Sequence, residues 1–149
     1  MRDQEFMREA LIEAKKAFSL GEIPIGAVIV KNGQIIARDH NRREELKDPT
    51  AHAEILVMRK AGAILGGWRL SQTTLYVTIE PCPMCAGALV QARVGRIVYG
   101  AEDSKAGAVT SLYSIATDER LNHRLEVTGG VLAEEAVALM RQFFQSRRK

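Results

Sequence analysis

The pattern of apolar and polar positions along the chain predicts a helix followed by a β-hairpin. Apolar side chains between residues 6 and 18 recur at the three- and four-residue spacing of an amphipathic helix. The apolar run 25–30 and the segment 34–38 flank Asn32-Gly33, a dipeptide that favours the left-handed conformations of a tight turn. The first forty residues therefore predict one helix and two antiparallel strands.

The rest of the chain predicts strands that alternate with helices. Residues 40–47 are polar and indicate a loop, and Asp48-Pro49-Thr50 is typical of a helix start. The elements predicted next are a helix to about residue 63, a strand at 74–78, a helix at 82–92, a strand at 96–100, a loop at 101–111, a short strand at 126–128 and a helix at 132–145. This order predicts an α/β fold, a three-layer α/β/α sandwich around one mixed five-stranded sheet.

Length and composition favour a single domain. With 149 residues, of which 46% are hydrophobic and 26% charged, the chain fits one globular domain over residues 1–149. No apolar run approaches the roughly 20 residues that a membrane span needs, and the N-terminal segment lacks the apolar core of a secretory signal. We therefore expect a cytoplasmic protein with no membrane partner.

Positive charge is concentrated at the C-terminus. The net charge is +3, and the last nine residues contain four basic side chains and no acidic one. The remaining chain has 17 basic and 18 acidic side chains. A basic end is typical of proteins that bind a nucleic-acid backbone, although a solvated, frayed helix end has the same composition.

Two short motifs predict a metal site. The sequence His-Ala-Glu stands at residues 52–54 and Cys-Pro-Met-Cys at residues 82–85. One imidazole and two thiolates can bind Zn²⁺ and leave its fourth tetrahedral position open to water. Cysteines three residues apart on a helix face the same side, and a helix N-terminus favours thiolates. The predicted ligands are His52, Cys82 and Cys85.

Glu54 gives this site a catalytic interpretation. A carboxylate two residues from a ligand, at a helix start, can take a proton from the metal-bound water without binding the metal itself. Other interpretations exist: an isolated helical glutamate is simply solvated, and a Cys-x-x-Cys pair can be redox-active. A closed structural zinc site would recruit His40 or His123 as a fourth ligand and leave Glu54 without a role.

These motifs resemble those of the zinc-dependent cytidine and nucleobase deaminase superfamily, and nearly the whole chain resembles bacterial tRNA-specific adenosine deaminases. The similar segments are Glu-Ile-Pro-Ile-Gly-Ala at 22–27, Asn41, the stretch 48–54, Glu-Pro-Cys-Pro-Met-Cys-Ala-Gly-Ala at 80–88, the loop 100–108 and Phe143-Phe144 to Arg147-Arg148. The resemblance implies a cytidine deaminase-like fold with one Zn²⁺ per subunit and no organic cofactor.

The resemblance also implies a substrate and a reaction. The substrate would be a tRNA anticodon stem-loop with adenosine at the wobble position, and the products would be inosine and ammonia. Glu54 would deprotonate the zinc-bound water and then pass protons to N1 and to the leaving amine. The residues that the resemblance places at the substrate are Asn41, Ile25, Val28, Asp103, Lys105, Asn122, Phe143 and Arg147.

Several of these residues have simpler interpretations. Asn41 could cap a loop, and Ile25 and Val28 could be ordinary strand core. Phe143 and Phe144 could anchor the last helix, and we expect that at least one of them does. These alternatives concern the substrate contacts and leave the metal ligands unchanged.

The chain departs from the family pattern in the loop after the fourth strand, at Glu102 and Val109-Thr110. These differences bear on contacts with RNA and not on the zinc chemistry. Members of the family are homodimers. The small and apolar residues 86–90 could pair about a two-fold axis or belong to the core.

Two other functions fit parts of the sequence. A deaminase of free guanine, cytosine or a nucleoside would use the same fold and metal, but it would not need the basic C-terminus. A zinc-stabilised RNA-binding module would need neither Glu54 nor an open coordination position.

Overall fold

Helices and strands alternate through the 2–147 segment that the computed structural model describes. They are α1 (Arg2–Ser19), β1 (Gly26–Lys31), β2 (Gln34–His40), α2 (Arg43–Leu46), α3 (Ala53–Leu65), β3 (Thr73–Ile79), α4 (Pro83–Gln91), β4 (Arg96–Ala101), a 3₁₀ turn (Ile115–Thr117), β5 (Glu126–Thr128) and α5 (Ala133–Arg147). In this described segment no helix is long and apolar enough to cross a membrane.

The strands form one mixed sheet in the order β2-β1-β3-β4-β5. β1 pairs antiparallel with both β2 and β3, whereas β3 pairs parallel with β4, and β4 with β5. The hairpin turns at Asn32 and Gly33, whose φ angles of +53° and +76° are the left-handed values that the Asn-Gly pair favours. The prediction of one mixed five-stranded sheet is confirmed.

The two faces of the sheet carry separate cores, which makes three layers. On one face, Ile29 packs in a cluster with Val57 of α3 and Leu89 of α4. On the other face, Val28 packs in a cluster with Phe6 of α1, and a smaller neighbouring cluster includes α5. Because β1 is covered on both faces, its sequence is apolar throughout instead of alternating.

The structure differs from the predicted elements between β2 and α3. β2 extends to His40, and residues 43–46 of the predicted loop form the single turn α2. The carboxylate of Glu22, only 2% exposed, accepts hydrogen bonds from the N–H groups of Glu44 (3.1 Å) and Glu45 (2.7 Å). A buried acceptor more than twenty residues earlier in the chain therefore stabilises this turn.

The start of α3 also lies later than the sequence indicates. The Asp48 carboxylate accepts hydrogen bonds from both the N–H and the hydroxyl of Thr50, so it closes a turn instead of capping the helix. α3 begins at Ala53, and His52 is its N-cap residue. This offset places the imidazole at the helix N-terminus, facing the start of α4.

Candidate metal centre

The three predicted metal ligands meet where two helices begin. His52 is the N-cap residue of α3, Cys82 is the N-cap residue of α4, and Cys85 lies in the first turn of α4. Pro83 fits the first position of α4 because that position needs no N–H donor. The donor atoms of the three ligands all lie within 4.8 Å of one another.

The separations within the group fit a tetrahedral metal ion. The Nδ1 atom of His52 lies 3.6 Å from Sγ of Cys82 and 3.4 Å from Sγ of Cys85. Zinc bonds of about 2.3 Å to sulfur and about 2.0–2.1 Å to nitrogen place the two donor atoms roughly 3.6 Å apart at the tetrahedral angle. One nitrogen and two sulfur donors at these distances are a suitable ligand set for zinc.

Hydrogen bonds within the group shift its pKa values. The Cys85 thiol donates to Cys82, and this contact together with that of His52 lowers the pKa of Cys82 to about 4. The same contact and burial raise the pKa of Cys85, while the contact with Cys82 raises the pKa of His52. Cys82 is thus already favoured as a thiolate. A divalent cation would also favour the thiolate of Cys85, because it would replace the proton that the two sulfur atoms share.

Glu54 supplies a carboxylate beside the ligands. It lies in the first turn of α3, is 4% exposed, and lines the same cavity as His52 and Cys82. Burial raises the pKa of this carboxyl to about 7. A group of that kind can accept and return a proton near neutral pH, as a general acid–base catalyst must.

The other two histidines bond elsewhere. Nδ1 of His40 lies 3.0 Å from the carbonyl oxygen of Asn41, and Nε2 of His123 lies 2.7 Å from the carbonyl oxygen of Val94. Over residues 2–147 neither joins the group of metal ligands. The alternative of a closed structural site with a fourth histidine ligand is therefore wrong.

A cavity of about 130 Å³ opens beside Glu54 and the ligands. Of the predicted substrate residues, Ile25, Asn41 and Asp103 line it. Its lining combines apolar residues such as Ile25 with polar and charged ones, and polar groups in a pocket fix the orientation of a bound ring. The cavity therefore places a candidate acid–base group, a candidate metal and a ring-sized space side by side.

Asn41 has a structural role as well as a place in the cavity wall. Its Oδ1 accepts a hydrogen bond from the N–H of Arg43 (3.1 Å), and its Nδ2 donates to the carbonyl oxygen of Ile23 (3.5 Å). The side chain thus caps the start of α2, as the simpler interpretation expects. It is 4% exposed and holds both neighbours at the cavity.

Two surface grooves adjoin the cavity. A first groove of about 420 Å³ shares Asn41 with the cavity and includes Arg147. A second groove of about 290 Å³ shares Asp103 with the cavity and includes Lys105. Phe144, which is 46% exposed, lines both grooves. Each groove is lined by two basic and two acidic side chains, so a surface of mixed charge with one exposed aromatic ring continues outward from the cavity on two sides.

Other predicted substrate residues lie away from the cavity or serve the core. Val28 has no exposed surface and belongs to the core beneath α1, so the structure does not support it as a substrate contact. Asn122 is exposed, outside the cavity and both grooves. Phe143 borders the first groove but is 6% exposed and packs edge-on against Phe18. Arg148 lies outside the described residues.

Two of the three residues expected to depart from the family pattern have structural roles in the loop after β4. Val109 is 3% exposed and packs in the core, and Thr110 accepts a hydrogen bond from the Tyr99 hydroxyl (2.9 Å). Glu102 is exposed at the edge of the second groove. The two larger residues therefore anchor the loop and do not narrow the cavity.

Sequence reasoning missed Arg43, which lines the cavity and the first groove, and Phe144 as the exposed member of the aromatic pair. The signal for Arg43 was its place two residues after Asn41. Adjacent side chains in a helix point in different directions. Which of Phe143 and Phe144 is exposed therefore depends on the rotation of α5 about its axis, which the sequence alone does not give.

Comparisons with known proteins relate this site to deaminases. The chain matches the MafB19-like deaminase family over residues 1–148. The tRNA-specific adenosine deaminase of Bacillus subtilis is 53% identical over 148 residues, which cover 99% of this chain and 92% of that protein. A structure from a study of A-to-I editing by tRNA:A34 deaminases has a TM-score of 0.88 and 47% identity, covering 91% of this chain and 98% of the other. The guanine deaminase of Nitrosomonas europaea has a TM-score of 0.78 and 26% identity, covering 94% and 83% respectively.

Proposed function

We propose that this chain, which belongs to the family of MafB19-like deaminases, converts adenosine to inosine at the wobble position of transfer RNA and releases ammonia. The observation that carries the proposal is the juxtaposition of three metal donors at tetrahedral separations with a buried carboxylate in one ring-sized cavity. An enzyme that acts on transfer RNA would work in the cytoplasm, and one catalytic domain would span residues 1–149.

Zinc is the metal that the donor set fits. His52 Nδ1 and the thiolates of Cys82 and Cys85 would hold it, and each lies at a helix start where the backbone fixes its position. When bound, zinc activates water as a nucleophile at neutral pH. No organic cofactor is needed for a hydrolytic deamination.

Glu54 would move the protons of the reaction. We assign it both protons of the attacking water: it would pass the first to N1 of the adenine, then take the second from the new C6 hydroxyl and pass it to the departing amine. Protonation of N1 makes C6 a better electrophile, and the amine leaves readily only as neutral ammonia. The burial of Glu54 supports this assignment because it limits the access of bulk water to the carboxyl group.

The cavity would hold the flipped adenine. Asn41 and Ile25 lie in its wall, and the cavity has room for a base but not for a paired duplex. An anticodon loop offers an unpaired adenosine, so the cost of taking the base out of a stack is smaller than in a helix. We infer that Asn41 contacts the purine edge and that Ile25 packs against the ring.

The two grooves would bind the neighbouring nucleotides. Lys105 and Arg147 offer positive charge to phosphates, and Asp103 offers an acceptor at the mouth of the cavity. Phe144 lies between the grooves and is the candidate stacking surface for a splayed base. The guanidinium of Arg147 lies 4.7 Å from the centre of the Phe143 ring, which holds this cation at the groove.

A homodimer is the proposed assembly. A groove of about 550 Å³ between α3 and α4 is lined by Met58, Leu70 and Ala88, with Trp68 58% exposed at its edge. An exposed tryptophan beside an apolar groove is typical of a surface that another protein covers. Because Ala88 belongs to the segment 86–90 of small residues, a second copy could approach closely here.

The substrate separates this proposal from its rival. The zinc-loaded protein is offered, in parallel, an anticodon stem-loop with a wobble adenosine and free adenosine, cytidine and guanine, and the products are separated by chromatography. Inosine in the stem-loop alone supports the proposal. Turnover of guanine or of a free nucleoside alone would keep the metal chemistry and refute the RNA substrate, and turnover of guanine would favour a deaminase like that of Nitrosomonas europaea.

A further inference from the structure

The geometry points to Glu80 as a positioning residue: its carboxylate fixes the loop 102–111 so that the Asp103 wall of the cavity is formed before RNA arrives. Glu80 follows β3 directly and stands two residues before the ligand Cys82. The inference rests on the proposed function, since it assigns the loop a part in binding the substrate.

Five donors from one loop converge on this carboxylate. Oε1 accepts the N–H of Asp103 (3.0 Å) and the Ser111 hydroxyl (2.5 Å), and Oε2 accepts the N–H groups of Val109 (3.1 Å), Thr110 (2.7 Å) and Ser111 (2.9 Å). The residue is 3% exposed. Within the described part of the chain, none of the ion pairs involves Glu80. A buried charge is thus solvated by main-chain dipoles of the loop.

The loop is shaped to receive this carboxylate. A Cβ atom on Gly107 would overlap the Glu80 carboxylate and lie 2.6 Å from the carbonyl oxygen of Asp103. The absence of a side chain at this position therefore allows the loop to close around Glu80. A further main-chain bond, from the N–H of Ala108 to the carbonyl oxygen of Pro81 (2.8 Å), ties the loop to the same segment.

The connection to the site is direct. Asp103 and Ala106 line the cavity together with Glu54, and Asp103 also lines the second groove. Glu80 borders the same cavity, but all the hydrogen bonds its carboxylate accepts come from the loop. The Asp103 carboxylate accepts hydrogen bonds from the N–H groups of Lys105 and Ala106, so the loop tip is held through Asp103. Glu80 anchors the main chain of Asp103 and hence, through it, the cavity wall and the groove edge.

Glu80→Gln tests this arrangement at one atom. The amide NH₂ would avoid the three N–H donors at Oε2 and take the place of Oε1, where the Ser111 hydroxyl can turn to accept but the N–H of Asp103 cannot. The contact that is lost outright is therefore that of Asp103, while the remaining contacts weaken because the acceptor is no longer charged. A lost hydrogen bond to a charged group is worth about tenfold or more. We expect KM for the stem-loop to rise about tenfold with kcat within about threefold of wild type.

Amide hydrogen exchange in the RNA-free protein provides a readout independent of activity. In Glu80→Gln the N–H of Asp103 should exchange at least about tenfold faster, while that of Thr110 changes less. Ser111→Ala is the matched control, because it removes a donor from Oε1 without disturbing the N–H of Asp103. If Glu80→Gln does not fold, Glu80→Asp keeps the charge but withdraws the carboxylate by one methylene, and it should show the same faster exchange and raised KM.

The outcomes separate the two proposals. Unchanged exchange at Asp103, or a fall in kcat and metal content with KM unchanged, would overturn the role of Glu80. If the wild-type protein deaminates no RNA, the proposed function fails. In that case, faster exchange at Asp103 in Glu80→Gln would still establish the anchor, and unchanged exchange would refute it.

Discussion

Replacing Phe144 by alanine should weaken RNA binding and leave the fold intact. The residue is 46% exposed and lines both grooves, so its truncation removes less buried apolar surface than that of Phe143, against which its ring packs edge-on. Stacking of one base on an aromatic side chain contributes about 1–3 kcal/mol. The dissociation constant for a wobble-adenosine stem-loop should therefore rise by about 5- to 150-fold.

Phe143→Ala is the matched control, because the two residues are adjacent and identical in type. Phe143 is 6% exposed, packs against Phe18 with ring centres 5.7 Å apart and lies under the Arg147 guanidinium. Its loss should cost about 3 kcal/mol of unfolding free energy, measured by urea titration. Anisotropy of a labelled stem-loop, at one fixed salt concentration, measures binding. Unchanged affinity in Phe144→Ala, or an equal loss of stability in both variants, would refute the assignment.

Three further predictions concern the scaffold. Gly26→Ala would force a Cβ into the backbone of α1 and should cost about 2 kcal/mol or more in a urea titration, whereas Gly87→Ala, which meets open space, should not. Burial alone would raise the pKa of Asp39, but hydrogen bonds led by that of Arg42 lower it. The stabilisation by the ionised carboxylate is therefore present above the unfolded pKa of about 4 and is lost as the pH falls below it, so Asp39→Asn should flatten the decline of the unfolding midpoint below about pH 4. Trp68→Glu should convert the proposed dimer to a monomer in sedimentation velocity, and an unchanged sedimentation coefficient would exclude that face.

The metal ligands could be predicted from the sequence because their spacing is local. Cys82 and Cys85 lie three residues apart on one helical turn, and His52 precedes a helix. Only the contact between the two helix starts joins distant parts of the chain. It could be predicted because two cysteines alone do not complete a catalytic zinc site, which needs a third protein ligand. Hydrophobic periodicity likewise predicted the five strands and the long helices, since it depends on neighbouring residues.

Features that depend on distant partners were not predictable from local pattern. The turn α2 is stabilised by the buried carboxylate of Glu22, and the loop after β4 by that of Glu80, in each case about twenty to thirty residues away in the chain. Nothing in the neighbourhood of either glutamate distinguishes it from a solvated one. Their roles follow from burial and hydrogen bonding, which only the folded structure provides.

The error at Val28 has a different cause. In a strand covered on both faces every position is apolar, so the sequence does not reveal which residues face the site. In the structure Val28 faces α1, whereas Ile29 faces α3 and α4, the helices that carry the ligands. Ile25 reaches the cavity because it precedes the strand.

The role of Glu54 is tested most directly by single-turnover deamination of the stem-loop by Glu54→Gln, with metal content and RNA affinity measured on the same preparation. We predict one zinc per chain, an unchanged dissociation constant and inosine formation slowed by at least about 100-fold, because only proton transfer is lost. Inosine formation at the wild-type rate would contradict the role of Glu54, and loss of zinc together with activity would show that this carboxylate supports the metal site instead.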